Sequence, residues 1–81
     1  MKKFIRMSDI LEQTGLASTS TVYARIKAGL WTKPVHLTGR ASFWLEEEVE
    51  ALLDAAAAGY DDEKVRALVQ QLHEKRISFT A

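Results

Sequence analysis

The residues best suited to chemistry in this chain stand together near its start. A hydroxyl run, Ser18, Thr19, Ser20 and Thr21, is followed at once by Tyr23, Ala24, Arg25 and Lys27. Hydroxyls and free backbone amides at the start of a helix offer a phosphate a ready set of donors. A helix with small polar residues at its start and an arginine further along can enter a major groove and read base edges. Thr21 and Arg25 are i, i+4 neighbours, while Ser20, Ala24 and Lys27 form an adjacent row. Lys33, His36, Thr38 and Arg40 follow within fifteen residues of that helix. Arg40 sits beside Gly39, where a hairpin tip could carry it to a minor groove or a phosphate. The chemistry expected of this set is nucleic-acid recognition: phosphates held from Ser18 to Thr21, Lys27 and Lys33, bases read by Thr21, Ala24 and Arg25, and Arg40 in the minor groove.

Each of these residues also has a plainer reading. A Ser/Thr run ahead of a helix is more often a cap than a phosphate grip. Tyr23 can fill the space between two helices with its hydroxyl at the edge. Trp31 and Trp44 sit where one element meets the next, as core anchors do, and belong to no aromatic run that could stack bases. The nucleic-acid reading gains from conjunction, since cap hydroxyls, helix arginine and hairpin arginine fall in one motif. Catalysis has much less behind it. His36 and His73, the only histidines, have no cysteine or closely spaced histidine to complete a metal set. His36 reads as a hairpin side chain near phosphate and His73 as a surface helix residue. Glu46 to Glu50 read as a solvated acidic face rather than an acid and base pair. No phosphate-cradling glycine loop or activated nucleophile is present. No enzyme, cofactor or metal is expected.

The elements that must position these residues follow from local signals. Phe4 to Met7 is a short, partly alternating stretch, a possible edge strand. Ser8 as cap, Asp9 in the first turn and Gly15 as a left-handed stop frame a helix over 8–14, with Ile10 and Leu11 buried. Val22, Tyr23, Ile26 and Leu30, with Gly29 before the last, mark a second helix from 19 or 20 to 28. Two helices joined by a few residues containing glycine are the helix-turn-helix layout. Val35-His36-Leu37 and Ser42-Phe43-Trp44 around Gly39 predict a hairpin. Leu45, Val49, Leu52, Leu53 and Ala56 form the stripe of a third helix that Gly59 ends. Asp61-Asp62 caps a last helix with the stripe Val65, Leu68, Val69 and Leu72, and residues 77–81 read as a tail.

The expected fold is mainly α with a small β-hairpin. A winged helix-turn-helix DNA-binding domain spans 1–59, and a C-terminal helix and tail over 60–81 either packs on the same domain or serves association. The chain has 81 residues, no cysteine, and eleven basic against eleven acidic side chains. One small domain without disulfides or thiolate zinc fits that composition, in a reducing cytoplasm. No signal-peptide core follows Met1, and no run approaches the roughly 20 apolar residues of a membrane span. The zero charge is a cancellation. Residues 1–40 hold seven basic and two acidic side chains, a net of +5, and residues 41–81 hold four and nine, a net of −5. Such asymmetry points to nucleic-acid contact by one end.

The ordered series Thr14-Gly15-Leu16, Ser20-Thr21-Val22-Tyr23, Ile26-Lys27-Ala28-Gly29, Lys33-Pro34-Val35-His36-Leu37, Gly39-Arg40 and Trp44-Leu45-Glu46-Glu47-Glu48-Val49 resembles the AlpA-like phage regulatory family. That family falls within the wider group of MerR-like winged-helix regulators and excisionases. The resemblance covers about residues 5–53. It implies a transcriptional regulator or recombination directionality factor of prophage or mobile-element type, binding double-stranded DNA with the Ser20 to Lys27 helix and a wing around Arg40. The stretch from Gly15 to Tyr23 is one residue longer than usual, with Ser18-Thr19 at a position often basic, which leaves open the residue that caps the recognition helix. Trp31-Thr32 stands where an aromatic followed by proline is common.

Two readings compete. In the first, the chain is a sequence-specific DNA-binding regulator or excisionase-like factor, acting as a homodimer or as adjacent protomers on DNA, with an integrase or RNA polymerase as a possible contact. In the second, it is a protein-interaction adaptor whose acidic 46–76 helices dock a basic partner.

Overall fold

The computed structural model describes residues 3–37, 39 and 41–78, with residues 77 and 78 described by backbone alone. In chain order the elements are β1 (Phe4–Arg6), α1 (Met7–Thr14), α2 (Thr19–Lys27), β2 (Val35–His36), β3 (Ser42–Leu45), α3 (Glu46–Ala57) and α4 (Asp62–Ser78). Among the described residues four helices thus accompany a three-stranded antiparallel sheet of order β1-β3-β2, and α1 and α3 pack on its strands. The architecture is mainly helical and compatible with a winged helix-turn-helix.

The first stretch is indeed a strand, and β3 is its partner. Ile5 faces Trp44 and Arg6 faces Phe43, while β2 pairs the other edge of β3 through Val35–Phe43 and His36–Ser42. Ile5 and Trp44 point inward, as the alternation of a half-buried strand requires. Both β1 and β3 run straight into a helix. The start of α1 therefore differs from the expected Ser8 cap. The helix begins at Met7, and the Asp9 carboxylate reaches back to accept from the Arg6 N–H at 3.1 Å. An acidic side chain three residues into the helix satisfies an otherwise orphaned donor, so Ser8 is left exposed within the first turn.

The turn between α1 and α2 is closed by Thr14 and Gly15. The Thr14 hydroxyl donates to the Ile10 carbonyl at 2.7 Å and accepts from the Leu16 N–H at 3.2 Å. Gly15 adopts φ +72°, and its N–H bonds to the Leu11 carbonyl. Ile10 from α1 and Val22 from α2 are fully buried in the same core. Burial of a side chain of this kind stabilises by about 1.5–3 kcal/mol. Trp31 and Trp44 are core residues, and the Trp44 indole N–H donates to the Thr32 carbonyl at 2.9 Å.

On α3, Val49, Leu52 and Ala55 turn inward and Leu53 is half-buried; Ala56, expected on that stripe, is exposed. Ala55 is three residues after Leu52 and completes the inner face at helical spacing. Asp61 accepts from the Lys64 N–H at 2.9 Å and caps α4. Val69 and Leu72 are buried with Trp31 and Trp44 in one cluster, and Val65 and Leu68 pack against it half-buried. The expected tail begins later than residue 77. No glycine or proline interrupts 75–78, and Lys75 and Arg76 suit the negative end of the dipole, so α4 continues through Ser78. No helix among the described residues is long and apolar enough to cross a membrane.

Candidate nucleic-acid interface

Helix α2 is held by one face and offers the rest. Val22 is fully buried and Ile26 half-buried. At about 100° per residue, Ser20, Ala24 and Lys27 stand on the side away from those two. All three are exposed, and Tyr23 beside them is 47% exposed, so it does not fill the core. Thr21 and Arg25 lie on a flank between the outer row and the core side. Thr21 is half-buried, and Arg25, although exposed, borders an apolar cleft with Leu16, Leu30, Trp31 and Leu52.

Ser18 is the cap residue of α2, which settles the position left open by the longer turn. Its backbone is extended, and its carbonyl accepts from the Thr21 N–H at 3.1 Å. Its hydroxyl bonds no helix amide and lies 3.5 Å from the Thr21 hydroxyl. Ser18, Thr19 and Ser20 are all exposed. The first turn therefore keeps exposed hydroxyls next to amide donors that its cap side chain does not occupy.

Lys33 is exposed in the connector from α2 to β2, and His36 is exposed on β2 opposite Ser42. Thr38 and Arg40 lie outside the described residues; Gly39 between them is exposed with φ +49°. The structure thus brings Ser18, Thr19, Ser20, Tyr23, Ala24 and Lys27 together on one exposed helix, with Arg25 and Thr21 on its flank. Among the described residues no group of three His, Cys, Asp or Glu side chains could hold a metal ion.

Three residues next to this surface escaped the sequence reading. Arg66 of α4 donates from Nε to the Ala28 carbonyl at 3.0 Å, at the C-terminal end of α2. His73, expected at the surface, is only partly exposed and already has a partner. It is half-buried, and its Nε2 accepts from the Lys33 N–H at 3.0 Å. An imidazole that accepts at Nε2 is neutral, with its proton on Nδ1. Burial, then Arg76 and Lys33, hold its pKa below the ordinary 6.5, with Glu48 opposing them. Arg76 donates from Nη2 to the Lys33 carbonyl at 2.7 Å.

The acidic face also needs correcting. Glu48 is only 2% exposed and takes both Nε, at 2.7 Å, and Nη2 of Arg76 in a bidentate pair. A carboxylate can be buried here because a planar guanidinium meets both its oxygens. The spacing of Arg66, His73 and Arg76, seven and three residues, places them along one side of α4 and was the available signal.

The chain matches the family described as Prophage CP4-57 regulatory protein (AlpA) over residues 3–55. That span includes β1, α1, α2, the hairpin and most of α3, and leaves α4 outside it. No curated protein and no solved structure matches the chain.

Proposed function

We propose, from the premise that the chain belongs to the AlpA family of prophage regulatory proteins, that it is a sequence-specific double-stranded DNA-binding regulator. The observation that carries this reading is the exposed outer row of α2, Ser20, Ala24 and Lys27, flanked by Tyr23 and Arg25 and opened by the exposed hydroxyls of Ser18 to Ser20. That row lies inside the family span, in the half of the chain with net charge +5. In this reading α2 enters the major groove, phosphates are held by the Ser18 to Thr21 turn, Lys27 and Lys33, and Arg40 with Thr38 and His36 serves the wing.

Residues 1–59 carry this activity and α4 supports them. The protein works in the bacterial cytoplasm without a cofactor, as a transcription regulator or excisionase-like factor, with protomers side by side on DNA and an integrase or polymerase as a further contact. The adaptor reading is weaker because two acids of its surface already serve the fold. Glu48 is buried against Arg76, and Glu46 pairs with Lys3 at 3.4 Å.

The test is a labelled duplex titrated at two salt concentrations with the wild type and with Arg25→Ala and Lys27→Ala. Four neutralised phosphates per protomer give a log–log salt slope near −3.6, and losing the Lys27 contact moves it by about 0.9. Arg25→Ala weakens a base contact, by about 1–3 kcal/mol at its own position. Binding that is absent, or indifferent to salt and to both substitutions, overturns the reading.

A further inference from the structure

We propose that α4 is a positioning element for DNA binding, in which Arg66, His73 and Arg76 fix the connector between α2 and the β2–β3 hairpin and so set the spacing of the two surfaces that meet DNA. The proposal rests on the DNA-binding reading of α2.

The middle of the connector is anchored by the core, through buried Trp31 and Thr32 and the Trp44 bond to the Thr32 carbonyl, whereas its two ends are not. Residues 28–34 contain no strand or helix, and a glycine at φ +79° opens them. Three bonds from α4 act on this short stretch. Arg66 takes the Ala28 carbonyl, where the helix dipole is negative and a cation is favoured. His73 and Arg76 take the two backbone groups of a single residue, Lys33, one accepting from its N–H and the other donating to its carbonyl. Arg76 is itself anchored on buried Glu48 of α3. The groove between α2 and α4 is completed by Ile26, Gly29 and Trp31. Gly29 turns the chain here with φ +79°, a backbone that side-chain-bearing residues rarely adopt, and a Cβ there would meet the Arg66 Cγ only at an ordinary 3.6 Å. With the peptide groups before and after its Cα each held, Lys33 cannot change its backbone angles without losing one bond or the other.

Lys33 also belongs to the expected phosphate-binding set, so its backbone is fixed while its exposed side chain stays free to reach outward. The charged groups around His73 are Arg76 on its own helix, Lys33 on the connector, Glu48 on α3 and Arg66 along the groove. Protonation of His73 removes the acceptor that Lys33 N–H needs and adds a positive charge near three others. The sign follows. With a folded-state pKa below 6.5, His73 is neutral and the bond intact above that value, and the bond is lost as pH falls through the lowered pKa. DNA binding therefore weakens on acidification. A histidine acting only by its charge would do the reverse and tighten binding.

The test uses the full chain and a fluorescein-labelled duplex enriched on the wild type from a random-sequence pool, with affinity measured from about pH 8 to 5.5, across the range where histidine titrates. Far-UV circular dichroism at each pH identifies the folded range. The wild type holds a steady affinity above pH 6.5 and loses it only as pH falls through the lowered His73 value. His73→Gln keeps the neutral-pH affinity and lacks the acid loss, because an amide oxygen accepts from the Lys33 N–H without titrating. His73→Leu binds about two- to thirtyfold more weakly throughout, the range for residues that act on a site they do not touch. Arg66→Ala weakens binding with an unchanged salt slope, whereas a phosphate contact would shift that slope by about 0.9.

Wild-type affinity for His73→Leu, or tighter binding of the wild type at low pH, overturns the proposal. Exchange of the Lys33 amide, slow in the wild type and fast in His73→Leu, reports the grip without DNA. Slow wild-type exchange in a chain that binds no duplex points to failure of the DNA-binding reading, and this proposal falls with it. Equal binding by wild type and His73→Leu points to failure of the positioning role alone.

Discussion

The two ends of α2 are built in opposite ways. At its start, Ser18, Thr19 and Ser20 are exposed, and the cap hydroxyl is bonded to no helix amide. At its end, Ala28 is bonded by Arg66, Gly29 turns the chain at φ +79°, and Lys33 is gripped by His73 and Arg76. The start thus has little to do with holding the protein together, and the end has much. A helix that must meet a ligand at one end and keep a fixed attitude needs this division, because a residue committed to the fold cannot also be given to a partner.

The contrast is broken most severely at Arg76. Arg76→Ala leaves Glu48 buried without its cation, and the expected loss is about 3 kcal/mol, the lower end for a broken buried pair because Arg76 keeps a fifth of its side chain exposed. Urea unfolding measures it, and a loss under about 1 kcal/mol would mean that water or another cation replaces the guanidinium. Gly29→Ala comes next. Its φ of +79° strains any Cβ, and the expected loss is about 1–2 kcal/mol. The Arg66 contact at 3.6 Å is ordinary and adds little, so a cost well above that range would show that the groove cannot admit a methyl group.

The smallest effect sharpens the comparison from the other side. Ser18→Ala should cost under about 0.5 kcal/mol, against about 1 kcal/mol for a cap whose side chain bonds the helix. Thermal unfolding checks this, and duplex binding by the same variant should weaken while the stability holds. A full cap's worth of lost stability would return Ser18 to the role of a simple helix start.

What was legible in the sequence is what neighbours decide. Gly15 as a stop, Val22 and Ile26 as the inner face of α2, the hairpin around Gly39 and the Asp61 cap all rest on residues within a few positions of one another. Ser18 as the cap needed only the backbone to be traced. Glu48 and His73 were misread because their roles are set by partners 28 and 40 residues away. An acid in a first turn beside two others looks like a dipole device, and nothing local distinguishes the one that turns inward to meet Arg76. His73 had the same difficulty, since its partner is a backbone amide, which has no residue type to recognise. The outer row of α2 could be proposed from spacing, but Tyr23, expected in the DNA-binding set with a core role as the plainer reading, was placed on the surface only by packing.

The distances along the chain also order events in time. Pairing of β1 with β3 joins residues 4–6 to 43–45, and the grip on Lys33 waits for residues 73 and 76. Contacts so remote in sequence carry the largest loop-closure entropy and form late. On a ribosome the helix proposed to reach for DNA is made early, yet it gains its final attitude only after residues 73 and 76 have emerged. A nascent copy, or one cut before residue 73, would therefore have the proposed recognition surface without its alignment.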